Sequence, residues 1–354
     1  MQDLFIAVLS DIHGNLEALE AVLKSLEEPK ERAKSAGIDF EIWCLGDIFG
    51  YGPDPMACYK IARESFRLIL PGNHEALTRL KLKHPDAKPS GVSSDAMKSC
   101  EYTVEQLLGK QKTKGKRTGQ EIGMPLEALE NLQKENYPAM LASEIAKKYA
   151  PEIKINAPEV PLFKKTIPQE QLDQVGASYI TEALLGHGQV IDEYDCRLER
   201  RNAVIDLYNF LANLEKNRTF NLKNAKFVHD DPVNPGSMLY LVDDERAKKY
   251  HIEKSSRVDL REINKEKLKF PGLEYIFVGH SHLMPDTVEI NGIKIVYAGS
   301  AGIPRLDNVE KKACYTAVRV HDGMVVQVRP MIIPYDYTKT RKKMIDRGLP
   351  DKFD

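Results

Sequence analysis

Two short motifs place metal-ligand side chains two residues apart: Asp11-Ile12-His13 near the start of the chain and His280-Ser281-His282 late in it. Residues two apart on an extended segment point the same way, so each pair is expected to face one ion together. Between them lie Gly46-Asp47, the run Pro71-Gly72-Asn73-His74-Glu75, and His229 in Val228-His229-Asp230-Asp231. A carboxylate such as Asp47 can bridge two cations with its two oxygens, and the amide oxygen of Asn73 is a neutral hard ligand. His74, next to it, can address a substrate phosphate instead of a metal. Taken singly, each has an ordinary explanation: Asp11, Asp47 and Asn73 as turn residues after strands, His229 as a loop histidine. Taken together they concentrate five of the nine histidines, which chance scatter would not do. Imidazole and oxygen ligands without thiolate suit Mn²⁺, Fe, Zn²⁺ or a similar ion.

Something must hold these residues in place, and the flanking pattern suggests what. Leu4 to Leu9 is a short apolar run ending at Ser10-Asp11, as a buried strand would. Leu16, Leu19, Leu23 and Leu26 follow at helical spacing, with Asn15 as a candidate cap. Phe40 to Leu45 reads as a strand, Pro55 to Phe66 as a helix with Pro in its first turn, and Arg67 to Leu70 as a third strand. Strand and helix alternation predicts a largely parallel sheet, in which ligands gather beyond the carboxyl ends of the strands. The last third predicts strands at Ala225–Val228, Met238–Val242, Tyr275–Val278, Thr287–Ile290, Ile293–Tyr297, Cys314–Val320 and Met324–Val328. Asn291-Gly292 and Asp322-Gly323 mark tight hairpins. The charged tail beyond Tyr335 contains a short helical segment. From residue 109 to 201 the signals are helical or irregular, and we read an insertion or cap between two parts of one domain, 1–108 and 202–354.

The ordered set D-x-H, G-D, G-N-H-E, H and G-H-x-H resembles the calcineurin-like metallophosphoesterases. Gly46-Asp47-Ile48-Phe49-Gly50-Tyr51-Gly52-Pro53-Asp54-Pro55 and Gly299-Ser300-Ala301-Gly302-Ile303-Pro304-Arg305 are similar to the YfcE-like phosphodiesterase branch, although Ala298 stands where relatives carry Asn and the following Pro is missing. The resemblance implies an α/β fold of two packed mixed β-sheets flanked by helices. It implies one metal held by Asp11, His13, Asp47 and His282, and a second by Asp47, Asn73, His229 and His280. It further implies hydrolysis of a phosphoester by a metal-bridging hydroxide, with His74 as catalytic group and Arg305 and Asn73 as substrate contacts. Two divalent ions, manganese first among them, are the expected cofactors.

A formal net charge of −1 gives no sign of a nucleic-acid or anionic-membrane partner. No apolar run is long enough to span a bilayer. Five scattered cysteines, none in C-x-x-C spacing, read as reduced thiols of a cytoplasmic protein. Two other readings stand beside the phosphodiesterase. The first is a phosphoprotein or other phosphomonoester phosphatase; relatives of the phosphoprotein type usually carry G-D-x-x-D-R-G after the bridging Asp, where G-D-I-F-G-Y-G lacks the Arg. A non-catalytic scaffold of the same fold would have lost ligands, and all seven are present. The oligomeric state is left open.

Overall fold

The computed structural model describes residues 3–107, 207, 209–305 and 311–353. Residues 1–110 and 208–354 form one compact unit and residues 111–207 a second. The expected insertion at 109–201, His187 and Cys196 lie outside the described residues.

The first unit begins with β1 (Asp3–Leu9), α1 (Leu16–Ser35), β2 (Asp39–Cys44), α2 (Pro55–Ser65), β3 (Leu68–Ile69), α3 (Asn73–Lys83) and α4 (Ser94–Leu107). Asn15 caps α1, its Oδ1 accepting from the Ala18 N–H at 3.1 Å, and Pro55 opens α2 at the position that needs no N–H donor. The later part supplies β4 (Thr219–Asn221), β5 (Ala225–Val228), α5 (Asp244–Lys249), β6 (Tyr275–Val278), β7 (Asp286–Ile290), β8 (Ile293–Tyr297), β9 (Lys312–His321), β10 (Met324–Pro334) and α6 (Tyr337–Asp346).

These strands make two five-stranded sheets, ordered β10-β9-β1-β2-β3 and β4-β5-β6-β8-β7. In the first, β1, β2 and β3 run parallel while β9 and β10 are antiparallel additions. In the second, β5, β6 and β8 are parallel, and β4 and β7 close the edges in antiparallel fashion. Both sheets are therefore mixed, as expected. The period of two along β1 sorts its side chains: Ile6 and Val8 face Phe227, Phe277 and Val296 of the other sheet, while Ala7 and Leu9 face Leu19 and Val22 of α1. Each such fully buried aliphatic side chain is worth about 1.5–3 kcal/mol. The outer face of the second sheet is covered by α5 and the loops around Leu241, Ile263 and Leu273.

Two details differ from the sequence reading, and one agrees with it. Met238–Val242 is not a strand; it makes only an isolated bridge, Tyr240 to Arg257. Its preceding loop directs backbone N–H groups to a side chain instead: the Asp230 carboxylate accepts from Gly236 at 2.9 Å and from Met238 at 2.7 Å. The strand predicted to stop at Val328 runs on through Pro330 to Pro334. Prolines are tolerated there because β10 is a sheet edge with one unpaired side. The hairpins at Asn291-Gly292 and Asp322-Gly323 form with positive φ at both central residues, as tight two-residue turns require.

Candidate metal centre

All of the predicted ligands follow the carboxyl ends of strands. Asp11 and His13 come after β1, Asp47 after β2, Asn73 after β3, His229 after β5, and His280 and His282 after β6. Face-to-face packing of the two sheets brings these loops to one edge. The loops are cross-linked there. Asp11 N–H donates to Gly46 at 3.0 Å, His13 N–H to Asp47 at 2.9 Å, Gly279 N–H to His229 at 3.0 Å, and Gly302 N–H to Asp11 at 3.0 Å. Gly46 is required by the closeness of this assembly: with φ at +121°, a Cβ there would stand 2.5 Å from the Gly72 nitrogen.

Asp11 and His13 do not converge through an extended pleat, as their spacing suggested. Both adopt left-handed backbone conformations, φ 54° and 50°, and so do Asp47, His280 and His282. This conformation costs a residue with a Cβ about 1–2 kcal/mol. Five ligand positions carrying it is the distribution expected where function over-rules local preference.

The side chains form two groups. Asp11, His13, Asp47 and His282 bring four ligand atoms within 4.8 Å of one another, and Asp47, His229 and His280 form a second such group. Asp47 belongs to both. Its Oδ1 accepts the His74 backbone N–H at 2.8 Å, and its Oδ2 lies 3.7 Å from His13 Nε2 and 3.3 Å from His229 Nε2. Asp11 divides its oxygens in the same way. Oδ2 accepts the His280 N–H at 3.1 Å, and Oδ1 faces His282 Nε2 at 3.3 Å, buried and without a hydrogen-bond partner. Asn73 joins the second group, its Oδ1 lying 3.2 Å from His229 Nε2.

Backbone carbonyls fix the imidazole tautomers, because a carbonyl can only accept. Nδ1 of His13 meets Phe49 O at 2.9 Å, Nδ1 of His282 meets Ile303 O at 2.9 Å, and Nδ1 of His229 meets Leu45 O at 3.1 Å. In its neutral form each ring therefore turns its Nε2 lone pair inward. His280 is the reverse: Nε2 meets Met238 O at 3.1 Å, which leaves Nδ1 for the centre. The interior is thus a set of lone pairs facing one another, including carboxylate and amide oxygens. Such a set fits divalent cations, since histidines that bind metals are oriented by carbonyls accepting from their other ring nitrogen.

The electrostatics agree. Burial pushes the Asp47 carboxyl up, but the imidazoles of His229 and His74 beside it hold it well below the usual carboxylate range. Asp11 shows the same contest, burial against His282, and settles at about 2. Burial drives His13 well down, and takes His280 down to about 4. Burial also opposes charge on His229, yet Asp47 and Asp11 lift it to about 10. The negative field that draws a proton to His229 is the field a dication would meet.

His74 is buried, its ring 4.8 Å from that of His13, and its Nδ1 has no hydrogen-bond partner. Arg305 donates from its backbone to His282 O at 2.8 Å, and its guanidinium lies 5.4 Å from the centre of the Tyr240 ring. Tyr240 in turn stacks on His280 at 4.5 Å and 16°. The other described histidines stay outside the site: His84 and His251 are exposed, and His321 pairs with Asp3.

Sequence reasoning passed over Glu75. Its buried carboxylate accepts four backbone N–H groups: Asp47 and Gly72 on Oε2 at 2.7 and 2.8 Å, Ile48 and Phe49 on Oε1 at 2.8 and 3.3 Å. It ties the Asp47 loop to the start of α3. The available signal was its place three residues after Gly72, where a helix-capping Glu reaches back to the cap N–H. Burial and then the charge of Asp47 raise its carboxyl to about 7 against those four donors. Tyr51 has its ring 4.8 Å from that of His13 and 4.7 Å from that of His74.

Among known proteins, the family described as calcineurin-like phosphoesterase matches residues 5–159. A curated relative, an uncharacterized protein of Methanocaldococcus jannaschii, is 49% identical over 70 residues, which is 20% of this chain and 26% of the relative. A metallophosphoesterase structure from Sphaerobacter thermophilus aligns over 99% of this chain and 96% of its own, at 18% identity and a TM-score of 0.47. The phosphoesterase Yfce from E. coli aligns over 92% of this chain and 98% of its own, at 13% identity and a TM-score of 0.29. Two mixed sheets with helices outside and two candidate ligand groups sharing one aspartate accompany the family match, so that residues 5–159 are similar to the calcineurin-like phosphoesterases.

Proposed function

We propose that the protein is a dinuclear-metal-dependent phosphodiesterase. The observation that carries this is Asp47 Oδ2, which faces the imidazoles of both ligand groups. One ion is assigned to Asp11, His13, Asp47 and His282, the other to Asp47, Asn73, His229 and His280. Manganese is the first choice for both, with Fe, Zn²⁺, Ni²⁺ or Co²⁺ as alternatives of the same ligand chemistry. Held by these residues, two such ions would supply charge stabilisation at a phosphoryl group and a nucleophile at neutral pH. The protein's own residues do the rest. His74, buried beside His13, protonates the leaving alkoxide or holds a phosphate oxygen. Arg305, anchored next to His282, neutralises developing charge, and Asn73 contacts substrate from the second group.

A diester carries one negative charge fewer than a fully ionised monoester. The loop after Asp47 offers a phenol, Tyr51, where a phosphate-gripping Arg would favour the more charged substrate. This supports the diester and the YfcE-like branch. We assign residues 109–201 to a cap that shapes substrate choice, and the protein to the cytoplasm, where the free thiols of Cys44, Cys58, Cys100 and Cys314 would persist. Among the described residues, no helix is long and apolar enough to cross a membrane.

The test is hydrolysis of bis-p-nitrophenyl phosphate against p-nitrophenyl phosphate, by chelated protein re-supplied with one metal at a time. Metal-dependent turnover favouring the diester is expected. Preference for the monoester would replace this reading with a phosphatase, and two bound ions without turnover on either would favour the scaffold.

A further inference from the structure

The Tyr51 ring that meets His13 and His74 has a further neighbour. An ammonium from late in the chain sits over it: Lys352 Nζ is 4.9 Å from the centre of the Tyr51 ring. The same Nζ donates to Asp95 Oδ2 at 2.6 Å, so the charge is held between a ring and a carboxylate. Lys352 is not on a loose end. Before it, Asp351 Oδ2 accepts from Arg341 Nε at 2.7 Å. After it, Phe353 is buried with Met344 and Leu349 against Tyr102 and Tyr337.

Other basic groups of the same segment hold the loop that carries Tyr51. Lys343 Nζ donates to Asp54 Oδ2 at 2.7 Å, and Arg347 donates to Pro53 O and, at 3.1 Å, to Asp54 Oδ1. Tyr102 adds a hydrogen bond to Pro53 O at 2.9 Å. This loop needs outside support. Tyr51 adopts φ 44° between Gly50 at +90° and Gly52, and glycine neighbours do little to set the aim of a ring. At Gly50 a Cβ would stand 2.0 Å from His74 Nδ1, so no side chain on that residue can wedge the ring in place.

We propose that the C-terminal segment is a strap on the metal centre and that Lys352 is a positioning residue, fixing the Tyr51 ring as the wall beside His74 that a phosphoester packs against. The inference rests on the phosphoesterase reading for its kinetic consequence and on the structure alone for the Tyr51–Lys352 contact. Lys352→Ala removes the cation, Lys352→Met keeps the length of the side chain without charge, and Lys352→Arg keeps a cation that also binds aromatic faces.

Two measurements on the full chain decide it. In metal-free protein with ¹³C-labelled tyrosine, the Tyr51 ring signal, identified by its loss in Tyr51→Phe, is expected to move in Lys352→Ala and Lys352→Met and to return in Lys352→Arg. In the metal-loaded enzyme, KM for bis-p-nitrophenyl phosphate is expected to rise about two- to fivefold in Lys352→Ala and Lys352→Met, the value of one cation–π contact, with kcat and metal content held and Arg restoring KM. A Tyr51 signal unmoved by Lys352→Ala, a Lys352→Met enzyme equal to the parent, or loss of bound metal in Lys352→Ala would each overturn the proposal. If the parent enzyme hydrolyses no phosphoester, the functional reading fails, and the ring signal still decides whether the strap holds Tyr51.

Discussion

Nε2 of His13 and Nε2 of His282 face each other at 2.9 Å, and each ring's other nitrogen is held by a backbone carbonyl, Phe49 for one and Ile303 for the other. Two lone pairs at that distance repel unless a proton or a metal stands with them. Burial pushes His13 strongly toward the neutral form, which disfavours the proton. Metal removal should therefore destabilise the fold. At a hundredfold excess over Kd, one ion adds about 2.7 kcal/mol, so thermal unfolding of chelated protein should come about 5–10 °C below the reloaded form. Scanning fluorimetry with EDTA, then with Mn²⁺, checks this, and equal Tm values in protein shown to bind two ions would contradict it.

Asp47→Asn should disable both halves of the centre, because one oxygen of that side chain faces His13 and His229 at once. We expect bound metal to fall below two ions per chain and kcat to drop by more than about a hundredfold. Metal content by mass spectrometry on gel-filtered protein, beside kcat at saturating metal, tests the claim. Full activity in a metal-defined assay would remove Asp47 from the site.

Glu75→Gln probes the loop rather than the ligands. A carboxylate satisfies four N–H donors with two oxygens; a carboxamide presents one oxygen and turns an NH₂ toward two of those donors. Leaving buried donors unpaired costs about 1–3 kcal/mol each. The variant should lose about 2–6 kcal/mol in urea unfolding and bind metal more weakly, since Asp47 and Gly72 are both among the donors. A stability change within error would show that the loop holds its shape without this clip.

Acid should loosen the attachment of α6. Glu17 is half-buried; burial raises its carboxyl, but hydrogen bonds from Lys343 and Thr340 bring it below the ordinary 4.5. A carboxyl whose folded-state pKa is depressed contributes its stability above the unfolded value and loses it as pH falls through the folded one. Parent and Glu17→Gln should therefore differ in Tm at neutral pH and converge as pH falls below about 4.5. A gap that persists unchanged to pH 3 would assign the effect to packing instead of charge.

Much of the framework was legible because its signals are local. The β1 run, the cap at Asn15, Pro55 at the head of α2 and the two Gly hairpins each depend on neighbours within a few residues, and each formed as read. Met238–Val242 misled because apolar alternation says nothing of where backbone donors go, and there Asp230 takes them. Tyr51 and Glu75 were underestimated for a related reason. A phenol between glycines and an acid in a helical turn are commonplace types, and their partners come from distant loops.

By itself the sequence determined the ends of the strands that carry the candidate ligands, the oxygen and imidazole types offered there, and the order of motifs along the chain. It could not determine which ligand meets which. His13 and His282 are 269 positions apart, and their contact exists only because two separate sheets pack face to face. Nor could it choose which nitrogen of each histidine, or which oxygen of each aspartate, faces the centre. Those choices are made by backbone groups, the carbonyls of Leu45, Phe49, Met238 and Ile303 and the N–H groups of His74 and His280. Almost every residue carries such groups whatever its side chain, so their identity leaves no trace in the sequence, and only the tertiary structure selects them.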